Sequence, residues 1–253
     1  MTSIMTTKQA KQVKTTYNIG KLLSPGATNF KTAKNKKGVT FIMYVAPADQ
    51  NDKGVNLCSN ASEGCIKACL FTAGRGSFDN VKSARINKAN FYVNDKFAFL
   101  VTLAHEIMCK IKYYSNKDTV LYFRLNGTSD VDFLGQIKRH LGIDFLTFDN
   151  VVFYDYTAIL GKVKKYMHTD NYFHAFSRKE DNEQRCLDAL ALNNPVAAVF
   201  SGALPKTYKG YPVINGDMSD IEMIEFKNKA VWLGLTAKGK AKKDQTGFVI
   251  TDY

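Results

Sequence analysis

The sequence contains no long apolar run: its longest, such as 97–104, fall far short of the roughly 18 residues a membrane span needs. No membrane partner is expected. Residues 1–14 are rich in Lys and Thr and lack an apolar stretch, so no secretory leader is expected and the cytosol is the expected location. The first strand-like segment, 39–45, is followed by Ala46, Pro47, Ala48 and Asp49 instead of a G-x-G-x-x-G turn, which argues against a dinucleotide-binding fold. Histidine is scarce, at four residues. His105-Glu106 lacks the second His of H-E-x-x-H, and no His-x-His pair exists to build a nickase metal site. There is no internal repeat. Whole-chain disorder is excluded by 17 Phe and 13 Tyr, which demand burial.

What the chain does have is size and positive charge. At 253 residues and 45% hydrophobic it can form one large domain whose core needs no disulfides. Thirty-five Lys and Arg against 23 Asp and Glu give +12, a balance that favours a polyanionic partner, most often nucleic acid. The charge is uneven. Residues 1–38 carry Lys8, Lys11, Lys14, Lys21, Lys31, Lys34, Lys36 and Lys37 and no acid, and Lys238, Lys240, Lys242 and Lys243 form a second cluster. Such segments neutralise phosphates, or are simply solvated. Residues 1–20 read as a basic flexible arm, 22–37 as loop, and 21–253 as a single α/β domain.

Short apolar runs alternate with helical patterns. Strands are expected at 39–45, 120–125, 151–155, 172–176, 196–200, 213–214 and 231–235. Helices are expected over 79–116, 133–141, 159–167 and 182–192, the first broken near Asn94-Asp95. In 79–116 the buried candidates are Val81, Ala84, Ala89, Phe91, Phe97, Leu100, Leu103, Ile107 and Ile111. This alternation predicts parallel βαβ units: a full or partial β/α barrel, with a doubly wound open sheet as the alternative.

In parallel α/β folds the site lies at the C-terminal ends of the strands. Here those ends carry Arg124, Asn126, Thr128 and Asp130, then Asp155, then Arg178, then Asp217, then Lys238 and Lys240. Asp130, Asp155 and Asp217 suit a divalent metal or acid–base chemistry. They suit equally well ion pairs with Arg124, Arg178 and Lys238. Asn126, Thr128, Lys238 and Lys240 are the candidate substrate contacts. Tyr154 and Tyr156 are possible nucleophiles, though buried strand tyrosines are far commoner.

Cys58, Cys65 and Cys69 form C-x6-C-x3-C directly after the first strand. Cysteines clustered in a cytosolic protein point to metal, and thiolates are the ligands of iron–sulfur clusters. Three would leave one iron open. The alternative is three unrelated thiols packed as small hydrophobes. Cys109 and Cys186 sit in helical patterns and are expected in the core.

The runs KLLSPG at 21–26, CIKACL at 65–70 with TAGRG at 72–76, RLNGTSD at 124–130, FYDYT at 153–157, FSR at 176–178 and GLTAKGKAK at 234–242 resemble a tailed-phage protein family related to the one called gene product eighty-eight. The resemblance covers about 21–249 and implies a phage protein in the cytoplasm of a bacterial host. More distantly, the Cys run resembles phage proteins similar to radical S-adenosylmethionine enzymes, although their C-x3-C-x2-C spacing is not kept. That likeness implies an iron–sulfur cluster on Cys58, Cys65 and Cys69 with S-adenosylmethionine, contacted by Asn126, Asp130 and Arg178. Without it the cofactor is a divalent metal or none. Two functions follow. One is an enzyme acting on nucleic acid or nucleotides through Arg124, Asp130, Asp155, Arg178 and Asp217. The other is a non-catalytic DNA-binding protein of phage DNA replication or host takeover, in which the Cys are structural and the rim residues are ion pairs.

Overall fold

The computed structural model of the protein describes residues 6–28, 30–33, 37–69, 71 and 74–253, the side chains of 28 and 30 excepted. Lys34 and Lys36 of the basic segment, and Leu70, Thr72 and Ala73 of the cysteine-loop motifs, lie outside the described residues.

Parallel strands β2 (Gly38–Met43), β3 (Val120–Arg124), β4 (Val151–Thr157), β5 (Tyr172–Ser177) and β6 (Val196–Phe200) follow one another in both sequence and space. Beyond β6 come β9 (Trp232–Thr236), then β8 (Tyr211–Asn215), both still parallel. β1 (Leu23–Pro25) and β7 (Thr207–Tyr208) are antiparallel ends. β10 (Val249–Ile250) pairs with β6 alone, beside its last residues, where β5 has already ended. The sequence patterns missed β1, β7 and β10, all three residues or fewer and too short to show a period.

In-register residues share a face. Phe41, Phe123, Phe153 and Tyr172 make a cross-strand aromatic ladder with centroids 5.6, 5.3 and 6.1 Å apart. Against it pack α4 (Asp79–Asn94), α5 (Lys96–Tyr114) and α6 (Phe133–Leu141). The same face continues through Phe176, Val196, Phe200 and Trp232 under α7 (Leu160–Tyr166) and α8 (Glu183–Ala191). This one-sidedness follows from connection handedness. Right-handed crossovers between strands that advance in one direction all fall on one face. The β8-to-β9 crossover steps backwards, and its connection therefore crosses the opposite face, where Ile221, Met223 and Val231 cover Tyr122, Tyr154, Phe173 and Leu233.

Of the expected full or partial barrel, the full form is not observed, because the sheet does not close and ends at β1 and β7. The alternative was right about openness, but helices α4 to α8 do not divide between two faces. In a flat sheet β1 and β8 would stand about 34 Å apart, at ~4.8 Å per strand. Yet Lys31, on α2 (Phe30–Ala33) just after β1, donates to the Gly216 carbonyl at 2.7 Å, and Lys37 pairs with Glu225. Bridging that span takes curvature of the sheet together with the crossover lying over its hollow.

The basic segment read as a flexible arm carries α1 (Thr7–Thr16). A capping box of Thr6 and Gln9 starts it, its Ala10 is buried, and Lys14 pairs with Glu106 of α5 at 2.9 Å. The break near Asn94-Asp95 is present: Asp95 ends α4 and its side chain caps α5 through Ala98 N–H. Phe97 is 61% exposed and Cys109 is also exposed, against expectation. The buried stripe of α5 runs through Phe99, Leu100, Leu103, Ala104 and Ile107, and both residues lie off it. Cys186 is buried as expected.

Candidate functional site

The parallel strands all direct their C-terminal ends to one rim, and two networks organise it. The first is built by Asn126, just after β3. Its side-chain carbonyl accepts from Ser129 Oγ (3.0 Å) and Val131 N–H (2.8 Å), and its amide donates to Val131 O (2.9 Å), closing the 126–131 turn. Asp155 of β4 holds this turn from beneath. Its carboxylate accepts from Asn126 N–H (2.8 Å), Asn126 Nδ2 (3.0 Å) and Tyr172 Oη (2.9 Å). Burial pushes the Asp155 carboxyl upward, and Lys162 and the three donors only partly offset this. At 1% exposure it meets no solvent.

Asp130 ties the same turn to the end of β4. It accepts from Thr157 Oγ1 (2.8 Å), Ala158 N–H (2.8 Å) and Lys162 Nζ (2.9 Å). Thr128 Oγ1 donates to Val45 O (2.6 Å), tying the turn to the end of β2. Arg178 donates to the carbonyls of Gly247 and Phe248, clipping β10 beside β5. In this structure Asn126, Thr128, Asp130, Asp155 and Arg178 thus hold the rim together.

The cysteine loop lies across that rim. Asn60 Nδ2 donates to Ala158 O after β4 at 3.1 Å. Ser62, which caps α3 (Glu63–Lys67), and Gly64 N–H donate to Glu180 after β5 at 2.6 and 2.7 Å. Ala68 packs on Ala237 and Ala241 after β9. Cys58 Sγ faces Thr128 O at 3.6 Å. Burial pushes the Cys58 thiol up to about 11 and raises Cys69 as well, and the neighbouring thiols add to both. Among the described residues no three His, Cys, Asp or Glu side chains are gathered as a ligand set.

The second network lies on the open face, at the mouth of the hollow. Arg124, at the end of β3, lies over the Tyr156 ring at 4.8 Å and donates to Asp220 at 2.9 Å. Asp220 is fully buried, and its charge raises Arg124 against the opposing effect of burial. Lys31 stands 3.7 Å from Asp217 and 3.9 Å from Asp220. Burial lowers the Lys31 amine, the two carboxylates oppose this, and Arg124 and Lys238 add to it. Asp217 accepts from Lys238 Nζ (2.6 Å) and Thr236 N–H (2.8 Å). Burial alone would raise Asp217, but those bonds and Lys31 hold it below the usual carboxylate range. Lys240 is exposed on the same segment.

The cations continue past Arg124. Tyr44 acts electrostatically on both Arg124 and Arg85, and Arg85 lies 4.7 Å over its ring. Cys69 senses Lys179 and Arg85 in turn. An arc of positive side chains thus runs Lys238, Lys31, Arg124, Arg85, Lys179 from the exit of β9 to that of β5. Of the expected site residues, Arg124, Asp217 and Lys238 come together here. Lys31, Arg85, Lys162, Glu180 and Asp220 were not singled out in the sequence. Asp220 sits three residues beyond Asp217 with nothing local to mark it, and Lys31 and Arg85 stand in segments that read as loop and plain helix.

Compared with known proteins, the model of the family described as Gene product 88 matches residues 8–252. No curated protein matches, and no solved structure matches. The similarity to radical S-adenosylmethionine proteins therefore has no support from these comparisons.

Proposed function

This chain belongs to the Gene product 88 family, and from that premise we propose a phage-type protein that acts on nucleic acid or nucleotides at the mouth of its hollow sheet. We read that sheet as a partial β/α barrel left open between β1 and β7. The observation that carries the reading is the arc of Lys238, Lys31, Arg124, Arg85 and Lys179 along the C-terminal rim. The rim acids do not counter it. Asp130 is matched by Lys162, Asp220 by Arg124 and Asp217 by Lys238, with Lys31 beside the last two acids, so Arg85 and Lys179 are the arc's surplus over these three acids and suit phosphate. Lys31, its proton loosened by burial and its amine 3.7 Å from Asp217, is the group best placed for proton transfer to or from a bound substrate.

A second reading has its own support. Asp130 and Asp155 are hydrogen-bonded shut, which leaves fewer acids for chemistry and favours a non-catalytic DNA-binding protein. One experiment separates the two. Labelled nucleotides, single strands, duplexes and RNA are titrated at several salt concentrations and then analysed for cleavage or modification. Binding that weakens in Arg124→Ala and Lys238→Ala, with a product lost in Lys31→Met, supports the enzyme. Binding with an unaltered nucleic acid supports the second reading. No binding at low salt refutes both.

A further inference from the structure

Arg85 and Arg124 reach the rim from different elements, α4 and β3: Arg85 lies 4.7 Å over the ring of Tyr44, which follows β2 two residues beyond Ile42, the register partner of Arg124. Each spends one Nη1 donor on the protein: Arg85 on Phe71 O at 3.2 Å, Arg124 on Asp220 at 2.9 Å. In each, the buried Nε has no hydrogen-bond partner. An unpaired buried donor is costly, and two on guanidiniums along the same part of the rim are not expected from packing alone. Beside them Tyr154 Oη, on β4 and next to Arg124 across the sheet, is also buried and unpartnered. The surroundings are cationic, with Lys31, Lys179 and Lys238 against Asp217 and Asp220.

We propose that Arg85 and Arg124 form a clamp for one phosphomonoester group, the terminal phosphate of a nucleotide or of a phosphorylated strand end. This rests on the nucleic-acid or nucleotide reading above and narrows it. A guanidinium recognises phosphate through two parallel N–H donors, and the Nε edge is the unused edge of both arginines. Two such edges offer four donors. That number suits the three terminal oxygens of a monoester better than the two free oxygens of an internal diester. Tyr44, lying against Arg85, supplies an aromatic face beside the phosphate site.

The test uses the full chain and isothermal titration. The ligands are inorganic phosphate, a nucleoside, its 5′-monophosphate, and one single-stranded oligonucleotide with either a 5′-phosphate or a 5′-hydroxyl end. The monophosphate is expected to bind at least tenfold more tightly than the nucleoside. The phosphorylated strand is expected to exceed the hydroxyl strand by a similar factor if strand ends are the source, and to equal it if free nucleotides are. Arg85→Lys, which keeps the charge and loses the fork, is expected to lose most of the monophosphate preference. Its circular dichroism and melting temperature report whether it is folded, and broadening of the phosphorus resonance of inorganic phosphate by the wild-type protein gives an independent readout. Folded Arg85→Lys that binds the monophosphate like wild type overturns the clamp. So does equal wild-type affinity for nucleoside and monophosphate; if oligonucleotides still bind, the wider reading survives it. A wild-type protein that binds neither phosphate nor oligonucleotide overturns both.

Discussion

Replacing Asp155 with Ala tests whether the first rim network is architecture. The carboxylate is 1% exposed and accepts three bonds, from Asn126 N–H, Asn126 Nδ2 and Tyr172 Oη. Ala removes the acceptor and leaves three buried donors without it. An orphaned buried donor costs about 1–3 kcal/mol. Asn126 Nδ2 keeps its bond to Val131 O, which reduces its share. The expected loss is about 4 kcal/mol, a large part of the ~5–15 kcal/mol that holds a typical domain together. In a chain of this size that corresponds to a fall in Tm of roughly 8–16 °C. Asp155→Asn keeps the shape and one acceptor oxygen, and is expected to lose less than half as much. The pH dependence has a definite sign. The folded carboxyl is raised above its ordinary value of 3.8, so its contribution to stability is largest at low pH and falls as pH rises through the raised value. Asp155→Asn removes that decline. The assay is urea denaturation followed by circular dichroism at several pH values, with the m-value held as a control. An Asp155→Ala protein within about 1 kcal/mol of wild type would refute the argument. If that stable protein had also lost activity, Asp155 would have to be assigned to the chemistry.

Lys88 of α4 is buried against the Leu22 carbonyl at 3.0 Å, and burial lowers it to about 8. A lowered lysine costs stability while it is charged, so wild type is expected to gain stability relative to Lys88→Met as pH rises from about 8 towards 10.5, by on the order of 3 kcal/mol; parallel pH profiles of the two proteins would refute this. Replacing Lys240, Lys242 and Lys243 with Ala is expected to weaken nucleic-acid binding and to flatten the log–log salt slope by about 2, and an unchanged slope removes these residues from the interface. Anaerobic purification with iron, sulfide and zinc analysis is expected to find the same content in wild type and in the Cys58→Ala, Cys65→Ala, Cys69→Ala triple variant. Iron and sulfide that disappear in the variant would show that the loop rearranges around a cluster.

The strands and helices that the sequence made legible are those long enough to repeat a pattern. β3, β4, β5, β6, α6 and α8 stand within two residues of their expected bounds, because alternation and helical spacing are local consequences of which side chains must leave water. The rule that places function at strand ends gathered Arg124, Asp130, Asp155, Arg178, Asp217 and Lys238 onto one rim for the same reason. The rule does not tell a residue that binds from one that braces. Asp155 and Asp217 look alike in sequence, each an acid at a strand end. One sits beneath a turn that supplies two donors, with a third from Tyr172 of β5, and the other at the mouth of the hollow beside two lysines.

Composition, charge sign, the α/β alternation and the membership of residues 8–252 in a family are properties of the chain that need no contact between distant segments. Openness of the sheet, the face each helix covers and the partner of each ion depend on where remote segments meet. The backward step from β8 to β9 throws its connection onto the open face, and that crossover brings Asp217 and Asp220 to Lys31 and Arg124, residues between 93 and 189 positions away along the chain. Connection handedness and strand order decided that meeting, and no local run of residues encodes it.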